Sequence, residues 1–340
     1  MATTPTISSY SFSQLTDLIN RRFLDAQKEM PHTLKKASFV KKDALPKGTG
    51  DTRRYAEFID SDLYASERDE GDASVQSKSQ YGYEKDAQVY DVSLSKSITK
   101  HMRDTGKDQQ MIRMILDLSN VCGNRIELDI AHRFTFAWST SYTTKDGKSR
   151  DISMGDGLAM ISASHTLTGS ATTYSTQITG NPQFTDGALE TAEKSFVEES
   201  YDNFGMKRYR KPDTILTTDD PNTCNQVRKL LMATADINSS NSNTFNPYRS
   251  KYSHVKSGHI ATDTNGAPDT SKRKYRFLID STNSDFYYTE LNSPYLKSPK
   301  DGNNGEDFAT ENRNYLAAAD YTTCIVTAKA FRGSKGDGSA

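Results

Sequence analysis

The sequence Gly-Leu-Ala-Met-Ile-Ser-Ala-Ser-His-Thr-Leu spans residues 157–167 and opens the part of the chain that decides the fold. After this polar loop, a helical pattern covers 185–199, and a basic segment at 207–212 leads into a short apolar strand pattern at 214–217. Asp-Asp-Pro-Asn at 219–222 then begins a second helix, because an aspartate can cap free N–H groups and proline fits the first turn. The stretch therefore predicts a loop, a helix, a strand and a capped helix, in that order.

The composition indicates a chain with extended parts. A length of 340 residues suggests about two domains. Only 34% of the residues are hydrophobic and the mean hydropathy is −0.75, which is lean for one compact globule. Long arms and loops that bury surface only against neighbours fit this composition, and so does partial disorder. The formal net charge of −1 gives no overall basic field of the kind that accompanies nucleic-acid binding.

The sequence also limits the cellular setting. Residues 1–30 contain no continuous apolar core of a secretory signal, and no apolar run approaches the roughly 18 residues of a membrane span. Cys122, Cys224 and Cys324 are odd in number and far apart in the sequence. We therefore expect free thiols in a protein made in a reducing cytoplasm, with no membrane partner.

The N-terminal part of the chain predicts a helix, a linker and a hairpin. The helix has an amphipathic stripe with spacings of three and four, formed by Phe12, Leu15, Ile19, Phe23 and Ala26. Residues 35–52 are polar with proline and glycine, which predicts an extended linker. Residues 90–94 alternate between apolar and polar, and we expect this strand to pair with an earlier one through an acidic turn within 67–85. Such a hairpin is too polar for a core of its own.

The longest periodic segment runs from Asp108 to about Trp138 and predicts one long helix. Its apolar residues recur every three or four positions: Met111, Ile115, Leu118, Cys122, Ile126, Ile130, Phe134 and Ala137. At 1.5 Å per residue, about 31 residues make a rod of roughly 46 Å. Gly123 costs about 1 kcal/mol inside such a helix and weakens the case for an unbroken rod. Asp146-Gly147 then predicts a hairpin turn.

The C-terminal part predicts strands separated by polar loops. Strand patterns cover 274–280 and 285–291, and the side chains expected to face inward are Phe277, Ile279, Phe286 and Tyr288. Apolar runs at 315–319 and 324–331 close the fold as further strands. Residues 238–246 and 297–308 are rich in Asn, Ser, Gly and charge, which predicts loops.

Candidate chemical sites are few, and each has a simpler structural interpretation. Ser162, Ser164 and His165 could be a nucleophile and base, but no Gly-x-Ser-x-Gly elbow is present and no acid partner is suggested by spacing. We therefore expect a loop held by side-chain hydrogen bonds. The basic segment 207–211 is either a solvated or intersubunit loop or a DNA contact. Residues 301–307 lack the residue order of a calcium loop.

No metal centre or cofactor site is expected either. The histidines and cysteines show no metal-ligand spacing, and His254 and His259 are too isolated for zinc. No phosphate-binding loop or dinucleotide fingerprint occurs. The sequence therefore predicts a protein that is not an enzyme and carries no cofactor.

The order of elements resembles the major capsid proteins of tailed phages, the Hong Kong 97-type fold, and within them the Mu-like major head subunits. That order is an arm, an acidic-tipped hairpin, a long helix, a Ser-Ala-Ser-His loop, a helix, a strand, a proline-capped helix and a returning strand. The resemblance implies an α+β fold. It would comprise an N-terminal arm (1–52), an extended E-loop hairpin (53–100), a peripheral domain with a spine helix (101–181 and 306–340) and an axial domain (182–305).

The resemblance also implies what the protein does. Copies of the subunit would form hexamers and pentamers and then an icosahedral-type shell around phage double-stranded DNA, which would be contacted non-specifically. The other expected partners are a separate scaffolding protein and a portal. The chain would lie in the virion after assembly in the host cytoplasm. The E-loop would supply intersubunit contacts through Tyr64, Glu67, Asp69, Glu70, Tyr81 and Tyr83.

Two other classes of protein remain open at this point. An encapsulin-like compartment shares the fold and packages enzymes, so its cargo would be protein. A β-rich binding or tail protein would instead remain monomeric. The sequence at 219–222 also departs from the resembled family, whose members often carry paired prolines there. This departure changes the helix cap and not the topology.

Overall fold

We describe the fold from a computed structural model of the chain. The residues it describes are 12–29, 32–59, 64–76, 80–234, 245–298 and 311–338. The helices among them are α1 (Phe12–Glu29), α2 (Lys100–Asp104), α3 (Asp108–Thr135), α4 (Asp186–Glu198) and α5 (Pro221–Met232). The strands are β1 (Val40–Ala44), β2 (Thr52–Ile59), β3 (Gln80–Gln88), β4 (Tyr90–Ile98), β5 (Ser141–Thr143), β6 (Ser149–Asp151), β7 (His165–Thr166), β8 (Thr173–Tyr174), β9 (Thr214–Thr217), β10 (Ser253–Lys256), β11 (Arg276–Ile279), β12 (Phe286–Lys297), β13 (Arg313–Ile325) and β14 (Phe331–Ser334).

One four-stranded sheet packs against the long helix α3. Its strand order is β1-β12-β13-β4, with β1 parallel to β12 and the other neighbours antiparallel. All eight residues of the predicted apolar stripe are buried, which confirms the period of the helix. The helix runs through Gly123 without a break, so packing along its length outweighs the propensity cost of one glycine.

A second four-stranded sheet, in the order β10-β9-β11-β14, lies between two apolar clusters. Leu216, Phe277 and Ile279 face the cluster around α3. Ile215 and Leu278 face the other cluster, formed with α4 and α5. Every residue of β9 and β11 is buried, and burial on both faces explains the consecutive apolar residues Ile215-Leu216 and Phe277-Leu278-Ile279.

Helices α4 and α5 both begin with a side-chain cap, and the cap of α5 is the one that the sequence predicts. The Thr185 hydroxyl accepts a hydrogen bond from the Ala188 N–H at the start of α4. The Asp220 carboxylate accepts one from the Thr223 N–H at the start of α5, where Pro221 occupies the first turn. These side chains satisfy donors that have no partner within the helix.

The prediction of an extended linker at 35–52 is partly wrong. Residues 40–44 form strand β1 on the edge of the first sheet. Phe39 is fully buried, where it packs against Phe134 of α3 with ring centroids 5.7 Å apart. Helix α1 also packs on α3, and Phe23 is only 1% exposed. The sequence of β1 did not indicate a strand, because lysines occupy much of it and its apolar contacts come from only one face.

The hairpin also differs from the predicted pairing. Strand β2 pairs with β3 (Gln80–Gln88), which is antiparallel to it. The predicted partner, β4 (Tyr90–Ile98), is a strand as expected but pairs with β13 in the first sheet. Val89 separates the two strands. Strand β3 therefore belongs to the hairpin, whereas β4 belongs to the body of the subunit, by which we mean the described residues outside the β2–β3 hairpin.

Strand pairing crosses the predicted division between peripheral and axial domains at two places. Strand β12 (Phe286–Lys297), assigned to the axial part, pairs with β13 in the sheet on α3. Strand β14 (Phe331–Ser334), assigned to the peripheral part, pairs with β11 in the other sheet. The run predicted as one strand at 324–331 is interrupted, because the chain turns at 326–330 to pass between the sheets.

Several predictions fall outside the described residues. They are most of the loop at 238–246, most of the loop at 297–308 and the whole excluded calcium loop at 301–307. The turn at Asp146-Gly147 is confirmed, since β5 and β6 pair across it. Within the described ranges, no helix has the length and apolar character needed to cross a membrane.

Candidate functional site

The hairpin of β2 and β3 carries a segment that is wholly accessible. Every residue from 64 to 76 is exposed. Within it, Tyr64 and Val75 are 65% and 71% exposed, and next to it Phe58 and Tyr81 are 63% and 72% exposed. The rings of Phe58 and Tyr81 pack edge to face with centroids 6.1 Å apart. Exposed aromatic side chains on an acidic ribbon suit contact with another molecule better than contact with water.

The predicted intersubunit residues divide into two groups. Tyr64, Glu67, Asp69 and Glu70 lie in the exposed segment, and Tyr81 follows it on β3. Tyr83 is different, because its hydroxyl hydrogen-bonds to the Thr166 hydroxyl at 2.7 Å. The C-terminal end of the predicted turn region 67–85 therefore contacts the rest of its own subunit.

Lysine and glycine contacts hold that end of the hairpin to the body. The Lys85 ammonium donates to Asp151 Oδ2 and to Ser153 Oγ, each at 2.8 Å. A Cβ on Gly155 would come within 2.5 Å of the Tyr83 Cβ, so only glycine allows this approach. The exposed segment therefore projects from an anchored base.

Tyr55 anchors the other strand of the hairpin. Its ring stacks on Tyr287 with centroids 4.1 Å apart. Its hydroxyl lies 2.7 Å from Asp43 Oδ2 and 2.6 Å from Thr289 Oγ1. Burial raises the pKa of the Tyr55 hydroxyl well above its ordinary value, and the hydrogen bond with Thr289 partly offsets that. The hydroxyl therefore stays a neutral donor to the Asp43 carboxylate.

The loop at 157–167 contains a buried histidine with an acid partner. His165 Nδ1 lies 2.7 Å from Asp156 Oδ2, and His165 Nε2 lies 3.2 Å from Thr176 Oγ1. Residue spacing did not suggest this acid partner, because Asp156 precedes the loop and the fold brings it back onto the ring. Burial alone would raise the pKa of the Asp156 carboxyl, but the hydrogen bond and charge of His165 lower it below its ordinary value.

Asp156, His165 and Thr176 place an acid, an imidazole and a hydroxyl in the order that nucleophilic enzymes use. Here, however, the hydroxyl is not accessible to a substrate. His165 and Thr176 are fully buried. The Thr176 hydroxyl donates to the Met160 carbonyl at 2.9 Å and accepts from the Ser162 N–H at 2.9 Å. A nucleophile must reach its substrate, so the cluster joins the loop to β8 and its neighbours, as the hydrogen-bonded interpretation predicts. Ser164 is exposed and remains outside the cluster.

We expect His165→Ala to destabilise the protein by about 3 kcal/mol, because it leaves a cavity and removes the imidazole partner of the buried Asp156 carboxylate. Ser164→Ala is the matched control and should change the free energy of unfolding by less than about 0.5 kcal/mol. Urea unfolding of both variants measures this difference. Equal midpoints for the two variants would contradict the structural role of His165.

The basic segment 207–211 points its side chains in two directions. Lys207, Arg208 and Lys211 are exposed and Tyr209 is 82% exposed, whereas Arg210 is only 9% exposed. The Arg208 N–H donates to the Ser200 carbonyl at 2.9 Å, so the segment folds back on the end of α4. Its exposed cations could meet either a neighbouring protein or DNA.

Neither a metal nor a cofactor site emerges from these contacts. Across the described ranges, no group of three or more His, Cys, Asp or Glu side chains is placed to hold a metal ion. All three cysteines are free thiols.

Comparison with solved structures gives the fold. A structure from Gordonia phage Cozz is 12% identical, with 87% of this chain and 84% of that chain covered and a TM-score of 0.51. The capsid structure of the cyanophage P-SCSP1u is 10% identical, with 87% and 85% covered and a TM-score of 0.50. The mature capsid of bacteriophage PhiM1 is 9% identical, with 87% and 86% covered and a TM-score of 0.50.

This is the Hong Kong 97-type capsid fold. The α+β architecture expected from the order of elements is thereby confirmed, and in its terms α3 is the spine helix and the β2–β3 hairpin is the E-loop. No protein-family model matches the chain, and no curated protein matches it. At these identities the likeness concerns the fold alone.

Proposed function

We propose that the chain is the major capsid subunit of a tailed phage. The observation that carries this proposal is the exposed segment 64–76, with its tyrosine and acidic side chains, on a body with the capsid fold. A single subunit gives these side chains no buried environment, and a neighbouring copy would. The intersubunit role of Tyr64, Glu67, Asp69, Glu70, Tyr81 and Tyr83 is part of the proposal.

The proposed mechanism is geometric. Head-to-tail contacts between identical subunits close into rings when the rotation between them permits it. Hexamers and pentamers formed in this way would join into an icosahedral-type shell. Specific interfaces bury about 1,600 Å², and the contacts of one subunit with all its neighbours should exceed that area.

Further parts of the proposal concern the setting. The shell would enclose double-stranded DNA, which the exposed cations of 207–211 could contact without reading its sequence. A scaffolding protein and a portal would be separate partners, and assembly would take place in the host cytoplasm before the chain becomes part of the virion. The Mu-like grouping and the division into peripheral and axial domains belong to the same proposal.

Expression of the chain followed by negative-stain electron microscopy and light scattering tests the proposal. We expect rings, tubes or closed shells whose mass is a multiple of the subunit. A strictly monomeric species at high concentration would overturn the shell function and favour a binding or tail protein. Shells from the native source that hold protein and no nuclease-protected DNA would overturn the phage assignment and favour an encapsulin-like compartment.

A further inference from the structure

Arg276 on β11 is a buried arginine whose guanidinium lacks hydrogen-bond acceptors. The residue is only 4% exposed. Among the described residues, none accepts a hydrogen bond from Arg276 Nε or Nη2, and both atoms are buried. The guanidinium lies 5.2 Å from the centre of the Phe184 ring, which attracts a cation but offers no lone pair to an N–H group. A buried cation in this state is costly unless an anion reaches it.

The same sheet contains a buried arginine whose donors are satisfied. Arg332 on β14 donates to hydroxyl and carbonyl oxygens of its surroundings. The two cross-strand neighbours of Arg276 are Ser334 and Thr217. Their hydroxyls donate to backbone carbonyls at 2.9 Å and 3.0 Å. The strands beside Arg276 therefore leave its N–H groups without a partner.

The two arginines lie at opposite ends of α4, and the ends of a helix differ in charge. Arg332 lies at the C-terminal end, where carbonyl groups accept hydrogen bonds. Arg276 lines a small cavity with Phe184, Ala188 and Leu189, which lie around the first turn of α4. This end carries N–H groups and partial positive charge, so it offers no acceptor and adds to the charge of Arg276. Both features favour an anion in the cavity.

No acidic side chain of the described chain offsets the charge of Arg276. Burial lowers the pKa of its guanidinium to about 10, and no neighbouring charge opposes that. Asp186 lies in the first turn of α4 but does not line the cavity. Arg210 also has a buried Nε without a partner, but Asp280 and Asp285 raise its pKa against the effect of burial. Arg276 remains a cation at neutral pH, and its counter-charge must come from outside the protein chain.

The size of the cavity limits the kind of anion. Its volume is about 10 Å³, which accommodates about one water-sized particle. A phosphate or a carboxylate is larger than this space. Arg276 Nε and Nη2 are also shielded from solvent, so the side chains of a neighbouring copy and the phosphates of DNA do not reach them. A monatomic anion fits both the volume and the charge.

We propose that the cavity between Arg276 and the first turn of α4 is a chloride site. The ion would accept hydrogen bonds from Arg276 Nε and Nη2 and lie at the positive end of the helix. It would thereby join β11 to α4 and make the stability of the second apolar cluster depend on chloride. The site belongs to one subunit and does not depend on shell formation.

Thermal unfolding of the full chain in sodium chloride and in sodium gluconate, at equal ionic strength, tests the proposal. We expect the Tm to rise with chloride concentration by about 2 °C and then to level off. Gluconate is too large for the cavity and should give no such rise. Arg276→Met should lose the dependence on chloride. It should be at least as stable as the unsubstituted chain in gluconate, because it removes an unpaired buried charge.

Arg228→Met is the matched control, since Arg228 is exposed on α5, and it should keep the dependence on chloride. Equal Tm values of the unsubstituted chain in the two salts would overturn the proposal, because the cavity would then hold water. An unchanged chloride effect in Arg276→Met would place the anion elsewhere and would also overturn it. If Arg276→Met does not fold, crystals of the unsubstituted chain grown in bromide decide the question. We expect an anomalous-scattering peak in the cavity, and its absence there would overturn the site.

Discussion

A variant lacking residues 64–76 should remain folded and fail to form closed shells. All of these residues are exposed, so their removal costs the subunit little buried area and no core contact. The anchors of the hairpin base, Tyr55, Tyr83 and Lys85, stay in place. If the segment binds a neighbouring copy, its loss removes a contact that is repeated throughout the shell. Electron microscopy and light scattering measure the assembly, and circular dichroism with thermal unfolding measures the fold.

A length-matched variant provides the control for this deletion. Replacing 64–76 by a Gly/Ser sequence of equal length keeps the reach of the hairpin and removes its side chains. We expect this variant to fail in assembly as well, because the tyrosine and acidic side chains make the contact. Normal shells from the deletion would contradict the assembly role of the segment. Unfolding of the deletion would contradict its independence from the body.

Much of the fold can be predicted from local patterns of neighbouring residues. The stripe along α3 from Met111 to Phe134 requires only a period of three to four. The cap at Asp220 and the turn at Gly147 each depend on neighbouring residues alone. The strands at 214–217 and 276–279 carry consecutive apolar residues because both of their faces are buried, and that burial is visible in their composition. Such elements can be predicted because the residues that determine them are adjacent.

The errors occur where partners are distant in the sequence. Residues 80–98 carry one nearly continuous strand pattern, and only tertiary pairing shows that Gln80–Gln88 joins the hairpin and Tyr90–Ile98 joins the sheet. Strand β1 was hidden because its partner, Phe286–Lys297, lies far along the chain. Pairing of this kind depends on the whole fold, and a local pattern does not contain it.

The partners of buried polar side chains are even harder to predict from the sequence than strand pairing. His165 was singled out, but its acid partner Asp156 has no motif that marks it. Lys329 lies within an apolar run of the sequence, where a single lysine indicates an interruption of a strand and does not indicate a buried polar cluster. Its partner Glu57 is 272 positions away. The one available signal was a charged residue inside an apolar segment, since such a residue needs a partner when buried.

Arg332 on β14 is a second charged residue of that kind, and it joins the second sheet to α4. Its side chain is fully buried. Nε donates to the Ser195 hydroxyl at 3.0 Å, Nη1 donates to the Phe331 carbonyl at 2.9 Å, and Nη2 donates to the Glu199 carbonyl at 3.2 Å. The guanidinium also lies 4.6 Å from the centre of the Phe196 ring. Burial lowers the pKa of the Arg332 guanidinium to about 10, so it remains a cation at neutral pH.

Substitution Arg332→Ala should therefore destabilise the subunit by about 4 kcal/mol. It would leave a cavity of arginine size and several buried oxygen atoms without donors. It would also remove the cation at the C-terminal end of α4, where carbonyl groups carry partial negative charge. Arg332→Met keeps much of the volume and separates the cavity from the lost hydrogen bonds, so its loss should be smaller. Urea unfolding of the unassembled subunit measures both variants.

The control is Arg228→Ala on the exposed side of α5, which should change the free energy of unfolding by less than about 0.5 kcal/mol. If Arg332→Ala lost as little as this control, the buried guanidinium would not join the sheet to the helix. A large loss in Arg332→Ala with none in Arg332→Met would assign the effect to packing alone. A loss in both variants is expected, because the carbonyls at the end of α4 and in the β13–β14 turn need a donor that no neutral apolar side chain supplies.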